Sequence, residues 1–568
     1  MQTPSALRLV ALAAMASLSI MVAHAQLVGS NTAETHPPLT TQTCTSSGCT
    51  DEDTSIVLDA NWRWLYKEGT STNCYTGNSW DKTICSDPKT CASSCALDGA
   101  DYTGTYGITA ESNSLSLKLV TKGPYSTNIG SRVYMMESDD AYKAYKLLNQ
   151  EFTFDVDVSD LDCGLNGALY FVDMDTDGGK KRFSGNKAGA KFGTGYCDAQ
   201  CPQDLKFISG EANTVNWTTS ATDSNSGTGN YGSCCAEMDI WESNSISNAY
   251  TSHPCSVTSD AGGSYRCESA TECGTGTSNR YTGVCDKDGC DFNPYRMGNK
   301  TFFGPGSDFT IDTTKKFTRF YIQDGTTYEM PYSTWPGLTD MNSLTDDQCS
   351  AAKKLFGDKD DHKVKGGLAQ LGVAMKRAMC LWLDSDYPVT ADASKAGVAR
   401  GTCAKTSGDP DTVVSEQADA TVVFSNIRFG DIGTTVDGIS AGSTSSSTAT
   451  EMSASGASSS TRTSAPSASI ASSSSTNSAI STDASDETST DAGIDSTSSV
   501  ASESSQDTSS TAVPMDASTG ADSASTTVDA STDADSALTT GSESEGTGTN
   551  APASTSKAPT KQCKTKRY

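Results

Sequence analysis

From Gln26 to about Asp437 the chain is cut every few residues by Gly, Asn, Asp, Pro or Ser, and the short runs between these breaks alternate apolar with polar side chains. A period of two puts every second side chain on one face of an extended strand, which suits half-buried β-structure and not a helix. Residues 152–158, 168–174 and 421–429 show the alternation most clearly and predict an all-β domain. Helical signals are few. Thr345 followed by Gln348 forms a capping-box pattern leading into residues 349–356 and closed by Gly357. A second helix is predicted over residues 368–379, with Leu368, Leu371, Met375 and Met379 on one face.

Both ends of the chain differ from this middle. Arg8, the apolar run from Leu9 to Val22 and the sequence Ala23-His24-Ala25 predict a signal peptide over residues 1–25 and a mature start at Gln26. Residues 438–568 are dominated by Ser, Thr, Ala, Gly and Asp, with little to bury against the entropy of ordering. They read as a disordered, O-glycosylated tail with a basic tip around Cys563. The chain carries 20 Cys, and in an exported protein these are expected to pair as disulfides. Cys197, Cys201, Cys234 and Cys235 offer the alternative of metal ligands, but 4 His are too few for a His-rich site, so no metal is expected. A formal net charge of −28 repels nucleic acid and anionic membranes and leaves a neutral polymer as an acceptable partner.

The most informative stretch is Ala236-Glu237-Met238-Asp239-Ile240-Trp241-Glu242-Ser243-Asn244. Crowding three carboxylates into six strand-like residues is costly unless they share a task. A regular strand would put Glu237 and Asp239 on one face and Glu242 on the other, with Glu237 and Glu242 roughly 16 Å apart. For both Glu to act on one bond, the strand must bulge or bend between Asp239 and Glu242. From spacing alone an acidic edge or calcium-binding loop stays equally open.

That stretch resembles the catalytic strand of glycoside hydrolase family 7, the cellobiohydrolases and endoglucanases. The resemblance extends from about Thr35 to Ile432 through Cys163-Gly164-Leu165-Asn166, Gly193-Thr194-Gly195-Tyr196-Cys197 and Asn293-Pro294-Tyr295-Arg296. It implies a concanavalin A-like jelly-roll β-sandwich with long loops over a glucan cleft. Position by position it implies Glu237 as nucleophile, Glu242 as general acid/base, Asp239 as the residue orienting the nucleophile, and His253 as the active-site histidine. Trp62, Trp64 and Trp382 match sugar-stacking tryptophans, and the i, i+2 spacing of Trp62 and Trp64 would place both on one sheet face. Tyr170, Asp198, Gln200, Arg280, Asp288, Arg296 and Arg400 match polar sugar contacts. The resemblance further implies disulfides 44–49, 74–95, 85–91, 163–403, 197–235, 201–234, 255–285, 267–273 and 290–349, which leaves Cys380 and Cys563 over. Residues 255–285 resemble the loop that roofs the site in the cellobiohydrolases. Asn216 and Asn299 head sequons for N-glycan.

The chain departs from the family at two junctions, Thr318-Arg319 and Met379-Cys380, where each time a strand of the family is missing. Loss of an interior strand should break its neighbours' hydrogen-bond ladder. Omitted coding sequence is favoured over a degenerate family member. The function expected is secreted, retaining hydrolysis of β-1,4-glucosidic bonds, releasing cellobiose from the chain ends of cellulose or a similar glucan. The enzyme is expected to act as a monomer without metal or organic cofactor. The alternatives are an endoglucanase and a catalytically impaired cellulose-binding protein.

Overall fold

The computed structural model describes residues 26–436 apart from 125, 222, 258–261, 320, 387–396, 398 and 405. Residues 1–25, expected to form a signal peptide, the Ser/Thr-rich segment 438–568 and Cys563 within it lie outside the described residues. No helix among the described residues is long and apolar enough to cross a membrane.

Two nine-stranded sheets carry the fold. The first centres on Thr421–Asp431, which pairs antiparallel with Gln150–Asp157 and parallel with Thr41–Thr45. The second runs in the order Ser131–Ser138, Met379–Asp386, Asn166–Val172, Glu237–Ser243, Asn248–His253, Cys290–Phe292. Alternation decides which side chains enter the core between the sheets. Leu169 and Phe171 join Phe154, Val156, Trp241 and Phe424 there, whereas Ala168, Tyr170 and Val172 belong to a separate cluster with Tyr134 and Met136 on the other face. Trp241 is 1 % exposed, and truncating so large a core side chain costs about 3–5 kcal/mol.

The three predicted strands correspond to Gln150–Asp157, Asn166–Val172 and Thr421–Asp431. Helix Asp346–Phe356 begins where the capping residue predicts: the Thr345 side chain accepts from the Gln348 amide at 3.0 Å, and Gly357 closes the helix at φ 72. The second helix, Gly367–Arg377, stops short of the predicted end. Met379 instead pairs with Tyr145 as the first residue of a strand, because its backbone is drawn into the sheet ladder. All nine disulfides implied by the family resemblance form, and Cys380 is buried and free. Chain cross-links of this kind stabilise by about 2–4 kcal/mol each.

Among the described residues the expected gaps in the ladders do not occur. Met379–Asp386 pairs with Ser131–Ser138 on one side and Asn166–Val172 on the other, so the segment after the junction fills the sheet. At the other junction Phe317–Arg319 pairs with Gln150–Asp157, and only two-residue strands follow it toward the sheet edge. Closure has a local cost, since Ala378 adopts φ 153 and Tyr321 φ 58, conformations disfavoured for residues with a Cβ by about 1–3 kcal/mol.

Candidate active site

The strand Glu237–Ser243 lies between Asn166–Val172 and Asn248–His253, and both ladders slip at the same place. Tyr170 pairs with Asp239 and Leu169 with Trp241, so Ile240 has no opposite number. On the other side Asp239 pairs with Thr251, and the next pair is Glu242 with Ala249. One inserted residue reverses the parity of the strand. Glu237, Asp239 and Glu242 therefore sit opposite Val172, Tyr170 and Ala168, which share one face, while Trp241 enters the inter-sheet core. This is the irregularity the carboxylate spacing requires.

Glu237 is 8 % exposed and Asp239 5 %; Glu242 is half-buried and, with His253, lines a cavity of about 410 Å³. Glu237 Oε2 accepts the Ala199 amide at 3.0 Å. His253 Nε2 lies 3.1 Å from Asp239 Oδ2, and Nδ1 lies 2.7 Å from the Asp286 main-chain oxygen. A carbonyl oxygen only accepts, so Nδ1 carries a proton, and the contact with Asp239 needs another proton between Nε2 and the carboxyl. Burial alone would lower the imidazole pKa, but the hydrogen bond and charge of Asp239 outweigh it and raise it to about 10. His253 is thus a cation among carboxyl groups.

Burial, reinforced by the charge of Asp239, raises Glu242 to about 7, against the hydrogen bond that Thr251 Oγ1 donates to its Oε2 at 3.2 Å. Burial also pushes Glu237 well up, with Asp239 and Asp198 adding to it; His253 and the Ala199 amide pull the other way. Three close carboxyl groups and one cation leave an excess of negative charge, which favours retention of a proton in the cluster near neutral pH. Glu237, Asp239 and His253 present ligand atoms within 4.8 Å of one another. His253 Nε2 and Asp239 Oδ2 are engaged with each other, and Glu237 Oε2 with the Ala199 amide.

Of the expected sugar contacts, Gln200, Asp288 and Arg400 line the cavity together with Thr251 and Asp291. Arg280 binds Asp288 at 2.5 Å, and Gln200 Nε2 donates to the Lys287 carbonyl at 2.8 Å. Asp198 accepts the Tyr196 hydroxyl and the Gln200 amide. Tyr170 is 7 % exposed on the face of the three carboxyl residues. Arg296 is buried, its guanidinium on Asp291 and Asp358 and over the Phe356 ring, and is not among the residues lining the cavity. Trp62 and Trp64 do not share a strand face as their spacing suggested. Trp62 ends a 3-10 turn, Ala60–Trp62, so strand parity does not apply; it lies under Arg132 at 5.0 Å, whereas Trp64 packs on Tyr66 at 4.4 Å. Trp382 pairs in register with both Tyr134 and Tyr170.

Sequence reasoning missed three groups. Arg132 stacks on Tyr196 at 3.8 Å and binds Asp59 at 2.7 Å. Thr251 shares the parity of His253 and was accessible by that rule. Asp286 acts through its carbonyl oxygen, which has no signature in the sequence.

Paired carboxyl groups on one face of a two-sheet sandwich, one of them raised to about 7 beside a cavity, are an arrangement capable of acid–base chemistry. Residues 28–436 match glycosyl hydrolase family 7. A cellobiohydrolase from Daphnia pulex is 48 % identical with a TM-score of 0.70, covering 72 % of this chain and 100 % of its own. A cellobiohydrolase from Melanocarpus albomyces, solved with cellotetraose, is 44 % identical at TM-score 0.69 with coverage of 72 % and 100 %. The endocellulase EGI of Humicola insolens is 32 % identical at TM-score 0.60, with coverage of 72 % and 99 %. The chain belongs to glycosyl hydrolase family 7.

Proposed function

We propose that this protein is a secreted cellulase that hydrolyses β-1,4-glucosidic bonds with retention and releases cellobiose from chain ends. The observation carrying the reading is the bulge at Ile240, which brings Glu237 and Glu242 to one face. Glu237, as nucleophile, attacks the anomeric carbon while Glu242 gives its proton to the leaving glycosidic oxygen, forming a glycosyl ester on Glu237. Glu242, now a carboxylate, takes a proton from water; the hydroxyl adds to the same carbon, the ester bond breaks, and both groups return to their starting states. Asp239 orients Glu237, and His253 balances the charge of Asp239 so that Glu237 can ionise. The reaction needs no metal or organic cofactor.

Gln200, Asp288 and Arg400 serve as polar sugar contacts at the cavity, with Tyr170, Asp198, Arg280, Arg296, Trp62, Trp64 and Trp382 contributing along the glucan. Chain-end action is supported by the higher identity to cellobiohydrolases, 44–48 %, than to the endocellulase, 32 %. It is also supported by the segment cross-linked at 255–285 and 267–273. Nine disulfides suit a protein secreted into an oxidising space. An impaired glucan-binding protein is the second reading, favoured by the strained Ala378 and Tyr321 at the two junctions.

The test is product analysis on cellulose and xylan with the wild type and Glu237→Gln. Cellobiose from cellulose, with hydrolysis abolished and binding kept in Glu237→Gln, supports the reading. Activity that survives the substitution overturns the nucleophile assignment, and wild-type binding without turnover favours the impaired reading.

A further inference from the structure

His253 is held from the side opposite Asp239 by one short turn. Asp286 is fully buried; its carbonyl oxygen accepts from His253 Nδ1 at 2.7 Å, and its Oδ1 accepts the Asp288 amide at 3.2 Å. That side-chain bond closes the turn that aims the carbonyl. Its Oδ2 is buried without a hydrogen-bond partner among the described residues. Gly289, at φ 63, completes the enclosure. A Cβ there would stand 2.5 Å from His253 Cε1 and 2.5 Å from Thr251 Cγ2. Disulfides pin the turn at both ends, Cys285 to Cys255 just beyond His253, and Cys290 to Cys349. Cys290 also pairs with Ser252 in the sheet, so the turn and the histidine strand form one rigid unit.

We propose that Asp286 and Gly289 are positioning residues for the hydrolytic reaction, acting through His253. Asp286 fixes the ring by its carbonyl and keeps a buried carboxyl group in the same turn, and Gly289 leaves the space the ring occupies. The claim deepens the functional reading above and rests on it for the reaction. The charged and titratable groups around His253 are Glu237, Asp239 and Glu242 from their strand, Asp286 from the turn, and His362 from helix Asp361–Val364. Asp286 and Asp239 favour the imidazolium; His362 is itself held down by burial.

The experiment is an imidazole NMR titration of the full secreted chain, with kcat and KM measured in parallel, for the wild type, Asp286→Asn and Gly289→Ala. Asp286→Asn keeps an oxygen to accept the Asp288 amide and removes only the charge, so the turn survives. His253→Ala assigns the signal. The His253 midpoint, about 10 in the wild type, is expected to fall by about one unit in Asp286→Asn. In Gly289→Ala the displaced ring loses Asp239; its midpoint falls toward about 6.5, and kcat drops about tenfold or more with KM within about twofold. An unmoved midpoint in both variants, or kcat and KM falling together with loss of the fold in Gly289→Ala while Asp286→Asn titrates as wild type, overturns the proposal. A wild type that cleaves no glucan would sink the functional reading, while the NMR titration still decides the positioning claim.

Discussion

Replacing Thr251 by Val removes one hydrogen bond from Glu242, the proposed proton donor, and changes little else. Thr251 is 5 % exposed on a strand, and Val has nearly the same shape and suits a strand at least as well. Thr251 Oγ1 donates to Glu242 Oε2 at 3.2 Å, so it stabilises the carboxylate over the protonated acid. A hydrogen bond to a charged group contributes about 1.5–3 kcal/mol; at this length, on a half-buried group, the lower figure applies, which is about one pK unit. Glu242 should then rise from about 7 to about 8. On the proposed role of Glu242 as the protonated acid, the alkaline limb of kcat moves up by about one pH unit. The assay is kcat from pH 4 to 9 on a soluble β-1,4-glucan oligomer whose leaving group needs protonation. An alkaline limb that stays in place or moves to lower pH refutes both the hydrogen bond and the assignment of Glu242 as the acid.

Two further outcomes follow from the same burial. Glu242 has a folded-state pKa raised to about 7 from the ordinary 4.5, so the fold has its full stability from this group below about pH 4.5 and loses it as pH rises through about 7. Glu242→Gln removes that loss, so its melting temperature should exceed that of the wild type increasingly from pH 4.5 to 8; a constant difference across that range contradicts the burial argument. Burial, with the charges of Asp173 and Asp175, pushes the Cys380 thiol far up, so peptide mapping after alkylation should find Cys380 modified only in denaturant. Modification in the folded protein would show that the strand Met379–Asp386 is open.

Local rules carried the strands, the Thr345 cap and Gly357, because each depends on side chains adjacent in the sequence. The bulge was legible for a different reason: spacing alone left an acidic edge or calcium-binding loop equally open, but Glu237 and Glu242 can act on one bond only if strand parity breaks between Asp239 and Glu242. The nine disulfides came from the family resemblance, since spacing alone leaves many pairings open. What stayed hidden depends on distant partners. Arg296 is held by Asp291 and Asp358, contacts made by the fold and invisible to a motif. Trp62 and Trp64 escape strand parity because a 3-10 turn, Ala60–Trp62, stands where their i, i+2 spacing implied a strand. Main-chain acceptors such as the Asp286 carbonyl carry no residue identity to read.

The most direct test is the anomeric configuration of the first product, followed by time-resolved proton NMR on a soluble cello-oligosaccharide before mutarotation sets in. If Glu237 and Glu242 work on one bond from the same face of the sheet, at the short separation that double displacement requires, the β-anomer appears first and the α-anomer grows only with mutarotation. Initial release of the α-anomer would mean a single displacement by water, and the account of the bulged strand would be wrong.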